Sequence, residues 1–173
     1  MDFKKDYYRF PQRLYFDKVM DTVVEIASLD VRNIRVLDFG CGHSHLKKRL
    51  GWKVKGYDII PELSEVKDWR KVKFNVIVAN VVFYLMEADE LRAFLTEAKK
   101  LNGDAELVVV MSRHTLLNDM AAKISRLSAA HSGAKMSPKE QLDILLEYCE
   151  IIRVQSVLGM CDIYHMQFIG EEL

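Results

Sequence analysis

The stretch from Asn33 to Leu46 limits most tightly what this 173-residue chain can fold into. Ile34 to Phe39 reads as a short buried strand that carries an acid, Asp38, just before its end. Gly40 and Gly42 make a turn, and His45 to Leu50 reads as a short helix with Leu46 and Leu50 four apart. Lys47, Lys48 and Arg49 suit the partial negative charge of its last turn, and Gly51 is a natural stop. Strand, glycine turn and helix start together make a ligand-binding arrangement. Glycines admit a ligand close to the backbone, and a helix start offers unpaired N–H donors.

The rest of the chain alternates strand and helix. Leu14, Phe16, Val19, Val23, Ile26 and Ala27 approximate one helical stripe between Gln12 and Leu29. Val54 to Tyr57 reads as a second strand ending at Asp58, and Phe74 to Ala79 as a buried strand ending near Asn80. Between them, Pro61 and the run Glu62 to Trp69 suggest a short helix and a loop, with little room for another strand. Leu91, Phe94, Leu95, Ala98 and Leu101 predict a helix from Glu87, stopped at Asn102-Gly103. Leu107 to Met111 is the next buried strand, and the apolar spacing of Leu116 to Leu127 predicts a helix over 114–130. Ser137-Pro138-Lys139-Glu140 is a helix start, with Ser at the N-cap and Glu closing a capping box. Ile151 to Val157 and Ile163 to Ile169 alternate and are joined around Gly159, which predicts an antiparallel hairpin. The expected fold is one doubly wound α/β domain over residues 1–173, a mostly parallel sheet with helices on both faces and a C-terminal antiparallel β-hairpin. Residues 1–32 are expected to form an N-terminal lid and helix, 33–112 the ligand-binding half, and 113–173 the half on the acceptor side.

Lys plus Arg and Asp plus Glu are 25 each, so no overall field draws the chain to nucleic acid or an anionic membrane. No apolar run reaches about 20 residues, so no membrane span is expected. Cys41, Cys149 and Cys161 form no CxxC pair, which fits a reducing, cytoplasmic setting better than a disulfide framework.

In such sheets a ligand binds beyond the carboxyl ends of the strands where strand order reverses. Three loops should converge there, carrying Asp38 with Gly40 to His43, then Asp58, then Asn80 and Val81. Asp58, twenty positions after Asp38, is placed to accept hydrogen bonds from a ribose diol. A G-x-G-x-x-G dinucleotide turn would need glycine where this chain has His45, so a nicotinamide oxidoreductase is the remote alternative. An acid before the turn suits an ammonium or a sulfonium-bearing amino acid better than a pyrophosphate.

Val36-Leu37-Asp38-Phe39-Gly40-Cys41-Gly42 resembles the first motif of the class I, Rossmann-like S-adenosylmethionine-dependent methyltransferases, an apolar pair followed by D-x-G-x-G-x-G. Gly56-Tyr57-Asp58 is similar to the acidic end of that family's second strand, and Phe74 to Leu85 to its fourth-strand motif. Leu101 to Val109 falls where the family has a loop before strand five, and the closing hairpin matches its antiparallel last strand. The resemblance covers residues 33–169. Two departures stand out: Ser44 replaces the motif's third glycine, and the third strand is reduced or missing.

The resemblance implies S-adenosylmethionine as cofactor and in-line attack of an acceptor on its methyl. Asp38, Phe39, Gly40, Cys41 and Gly42 would hold the methionine part and Asp58 the ribose. Asn80 and Val81 would complete the site, and Ile59 and Trp69 would face adenine in place of the missing strand. The sequence Asn80-Val81-Val82-Phe83 does not match the N/D-P-P-Y box of amide and adenine N-methyltransferases. Candidate catalytic residues are His114, His131 and Tyr84; each histidine also fits a polar loop, and Tyr84 the core. Tyr7, Tyr8 and Arg9 fit a lid or surface packing. Alternate residues Cys41, His43 and His45 cannot easily converge on one ion, so no metal is expected. The acceptor is expected to be a small or medium-sized molecule, and a non-catalytic, cofactor-sensing or scaffolding protein of the same fold is the alternative.

Overall fold

The computed structural model describes residues 12–113 and 134–170. Its spine is a six-stranded sheet in the order β2-β1-β3-β4-β6-β5. The strands are β1 (Val36–Phe39), β2 (Val54–Tyr57), β3 (Val76–Asn80), β4 (Glu106–Ser112), β5 (Cys149–Val157) and β6 (Cys161–Phe168). β2, β1, β3 and β4 run parallel. β6 lies antiparallel between β4 and β5. The helices are α1 (Gln12–Ile26), α2 (His45–Leu50), α3 (Ala88–Leu101) and α4 (Pro138–Tyr148). The predicted helix over 114–130 lies outside the described residues.

The parallel strands are apolar throughout because both faces are covered. Leu37, Phe39, Ile77, Ala79, Leu107 and Val109 enter one core with Leu91, Phe94 and Leu95 of α3 and Ile144 and Leu145 of α4. Their strand neighbours Val36, Val76, Val78, Val108 and Val110 enter a second core with Val19, Met20 and Val23 of α1 and Leu46 of α2. Each fully buried Leu or Ile contributes about 1.5–3 kcal/mol. Leu14, expected on the buried stripe of α1, is instead exposed. Capping boxes fix the starts of α3, through Glu87 and Glu90, and of α4, through Ser137 and Glu140.

The third strand is absent, and a strap closes the edge of β2 in its place. The Gly56 carbonyl accepts hydrogen bonds from Glu65 N (3.0 Å) and Val66 N (3.3 Å). The Glu65 side chain takes the outward Gly56 N–H at 3.4 Å and binds Lys47 and Lys55, each at 2.7 Å. The short helix expected between Pro61 and Trp69 does not form. Turns closed by Leu63 N to Ile60 O and Ser64 N to Pro61 O stand there. The Ser64 hydroxyl accepts from Asp58 N and donates to Val66 O, offering the backbone a partner that competes with helix. A single 3₁₀ turn, Trp69–Lys71, follows.

Partial burial works to raise the pKa of Glu65, but the Lys47 and Lys55 hydrogen bonds and the Gly56 amide outweigh it and hold the carboxyl at about 2. Because this pKa is depressed on folding, its stabilisation is complete above the ordinary value of 4.5 and is lost as pH falls towards about 2. Glu65→Gln should therefore lower the urea midpoint at neutral pH and leave less acid sensitivity across that window. Urea titrations of both proteins across the acid range measure it, and identical pH profiles would remove the strap's ionic role.

Candidate functional site

The turn after β1, the end of β2 and the end of β3 meet at the carboxyl edge of the sheet because register aligns them. Asp38 lies opposite Gly56 on one side and Val78 on the other. Gly40 has φ 76°, and a Cβ there would stand 2.2 Å from Val82 Cγ2, so both conformation and space require glycine. Gly42 has φ 47° with open space on the side a Cβ would occupy. Ser44, in the place of the third glycine, adopts the same left-handed region (φ 56°, ψ 40°) and its side chain gives no capping hydrogen bond. That conformation costs a non-glycine residue about 1–2 kcal/mol.

The expected free donors of this turn are engaged. Gly40 N and Cys41 N both donate to Tyr57 O, at 2.8 and 3.0 Å. Gly42 N donates to Asp58 Oδ2 at 2.9 Å, and Ile60 N to Asp58 Oδ1 at 2.9 Å. A turn with these three amides tied internally does not cradle a pyrophosphate. Asp58 stays half-buried, and each of its oxygens retains a lone pair for a further donor. Beside it Ile59 is 86% exposed, an apolar side chain standing over the same edge.

Asp38 is only 5% exposed. Burial, and then the charge of Asp58, push its pKa up to about 7. On β3 the Asn80 Oδ1 is buried without a hydrogen-bond partner, as is His43 Nε2 in the glycine turn. Val81 takes φ 52°, a strained conformation for a β-branched side chain, held by its N–H to Val110 O at 3.0 Å. The carboxyl edge therefore combines a buried acid, an unpaired amide oxygen and a strained loop residue.

Three expected side-chain contacts are not brought here. Trp69 is buried between Phe39 (5.9 Å, edge-on) and Phe94 (4.9 Å), with the Arg70 guanidinium 5.5 Å from its ring centroid. It is a core residue, packed into the aromatic cluster of Phe39 and Phe94. The Phe39 ring lies in the same cluster, so only its backbone borders the site. The Cys41 thiol packs against Gly56, where a Cβ would stand 2.7 Å from Sγ; burial first, then Asp38 and Asp58, push its pKa up to about 12. Tyr84 is half-buried and lines a cleft with Val81, Val110, Met111, Ser112, Ala134, Met136, Pro138 and Gln141, beside the ends of β3 and β4. His114, His131, Tyr7, Tyr8 and Arg9 lie outside the described residues. Sequence reasoning missed Ser64 and the Asp58 clamp on Ile60; the signal was Asp58-Ile59-Ile60-Pro61, an acid poised to bond the amide two residues on.

No protein-family model and no curated protein matches the sequence. Solved structures do. The N-methyltransferase NodS from Bradyrhizobium japonicum WM9, in complex with S-adenosyl-L-homocysteine, superposes with a TM-score of 0.68 over 96% of this chain and 95% of that one, at 14% identity. Magnesium protoporphyrin IX methyltransferase from Synechocystis PCC 6803, with the same ligand bound, gives 0.63 over 94% and 89%, at 18% identity. A TehB-like methyltransferase from Corynebacterium glutamicum gives 0.58 over 91% and 98%, at 14% identity. With its parallel half-sheet, antiparallel closing pair and glycine turn at the carboxyl edge, the chain has the fold of the class I S-adenosylmethionine-dependent methyltransferases.

Proposed function

We propose that the protein is an S-adenosylmethionine-dependent methyltransferase acting on a small or medium-sized acceptor. The observation that carries the proposal is the buried Asp38 carboxyl on β1, with the unpartnered Asn80 Oδ1 at the end of the neighbouring strand β3, at an edge whose turn amides are already bonded. Such a site offers acceptors and negative charge, and so suits a cationic amino acid rather than a phosphate. The ligands of NodS and the magnesium protoporphyrin enzyme support the same reading.

Asp38, Asn80, Val81 and the backbone of Phe39, Gly40, Cys41 and Gly42 hold the methionine part in this reading. Asp58 takes the ribose hydroxyls and Ile59 one face of adenine; Trp69 has no part. Bound there, S-adenosylmethionine supplies a methyl group on a positively charged sulfur. The residues around it orient the acceptor and exclude water, since in-line displacement asks for no covalent bond to the protein. The cleft at Tyr84 receives the acceptor. Where the acceptor still carries a proton, His114 or His131 accepts it. Three free, buried cysteines fit work in the reducing cytoplasm.

Calorimetry with S-adenosylmethionine tests the core of this reading, and no binding at millimolar cofactor would overturn it. Binding without methyl transfer to any acceptor would favour a cofactor-sensing or scaffolding protein, and NADH binding a nicotinamide enzyme. Asp58→Ala should weaken cofactor binding by about 1–3 kcal/mol, measured in the same titrations, and an unchanged affinity would remove Asp58 from the ribose.

Asp38 gives a pH signature. Its folded pKa of about 7 exceeds the ordinary 3.8, so its contribution to stability is present below 3.8 and is lost as pH rises through about 7. Asp38→Asn should therefore raise the melting temperature of the free protein above neutrality by about 2–4 °C or more while weakening cofactor binding. Wild-type affinity should rise with pH through 7, as the carboxylate that faces the cation forms. Scanning calorimetry and binding titrations across pH check both, and a variant no more stable than wild type would contradict the assignment.

A further inference from the structure

The two edges of the sheet are treated differently. The β2 edge is sealed by the strap, which takes the outward N–H and C=O of Gly56. The β5 edge is open: Glu150 to Ser156 are all exposed, and among the described residues no other backbone bonds to this outer rim. It is also apolar. Ile151 is 41%, Ile152 49% and Val154 46% exposed, with Leu146, Leu158 and Ile169 exposed beside them. An open, apolar edge of this length is a template for another strand.

We propose that β5 pairs with β5 of a second copy of this chain, antiparallel, about a two-fold axis between Ile151 and Ile152. Charge complementarity selects this occupant. Residues three apart on a regular strand face opposite sides. Here a bulge intervenes: Glu150 pairs Gln167, Ile151 pairs Met166, and Arg153 pairs His165. Gln167 and His165 share a face of β6, so Glu150 and Arg153 share a face of β5. Neither side chain has an ion-pair partner among the described residues. Antiparallel apposition about that axis sets Glu150 of each copy opposite Arg153 of the other, so the axis generates the ion pair twice. Charges on open edges ordinarily repel another strand. This Glu and Arg attract their own copy.

Sedimentation equilibrium of the full chain, without cofactor, tests the pairing independently of the methyltransferase reading. The wild type should sediment as a dimer. Glu150→Arg or Arg153→Glu alone sets like charges opposite each other twice and should raise the dissociation constant about tenfold. The double variant, Glu150→Arg with Arg153→Glu, should restore it. Circular dichroism confirms that each is folded. A second readout leaves the charges alone: Ile152→Cys, beside the axis, should be linked between chains by a short bis-maleimide, the three native cysteines being buried. A monomeric wild type, a dimer that neither reversal weakens, singles without rescue in the double variant, or an unlinked Ile152→Cys chain would each overturn the proposal.

Discussion

The structure turns on one carboxylate. Asp58 bonds Gly42 N through one oxygen and Ile60 N through the other, both at 2.9 Å, and so fastens the turn after β1 to the loop after β2. With Tyr57 O holding Gly40 N and Cys41 N, the amides of Gly40, Cys41 and Gly42 are all directed at the end of β2 and the residue after it. This choice sets the sign of the site. A glycine turn with free amides attracts anions. One whose amides are tied down, lying beside two carboxyls, repels them. The backbone shape that carries a phosphate in a dinucleotide fold has its amides occupied here, which favours the cationic ligand proposed above.

The arrangement at this edge has a cost in stability. Asp38 is buried close enough to Asp58 for the two charges to oppose each other, Asn80 Oδ1 lacks a partner, and Val81 and Ser44 sit in left-handed conformations. Each such feature costs about 1–3 kcal/mol. They are confined to the carboxyl edge, while the two cores on either side of the sheet contain the fully buried Leu37, Ile77, Leu107, Leu91 and Leu95 on one face and Val76, Val78 and Val108 on the other. The cores hold strand ends in place that the site residues alone would not. Conflict at one edge is tolerated because local and global preferences agree everywhere else.

What could be read from the sequence follows from how local each cause is. The capping box at Ser137, the helix from Glu87, the Gly51 stop and the apolar strands depend on near neighbours, and their sequence signals match the structure. Asp38 and Asp58 came from a motif and a spacing that register then brought together. Trp69 was misplaced because its burial depends on Phe39 and Phe94, distant in sequence, which offer a larger apolar surface than an exposed ligand face would. The used amides of Gly40 and Cys41 were illegible for the same reason: their acceptor, Tyr57 O, is a backbone atom sixteen and more residues away, with no side-chain signature.

The loss of the third strand links the site to the rest of the molecule. In a sheet with that strand, the edge of β2 is covered by backbone alone. Here its cover is a strap whose anchor, Glu65, bonds Lys47 of α2 and Lys55 of β2 at once. The strap leaves β2 at Asp58, whose own N–H is fixed by Ser64 within it. Edge protection and the clamp on the glycine turn are therefore one structure: the nine residues from Asp58 to Val66 both seal the sheet and aim the carboxylate. A ligand bound at Asp58 would draw on contacts that reach α2, and a change in the strap would be felt at the site without touching the ligand.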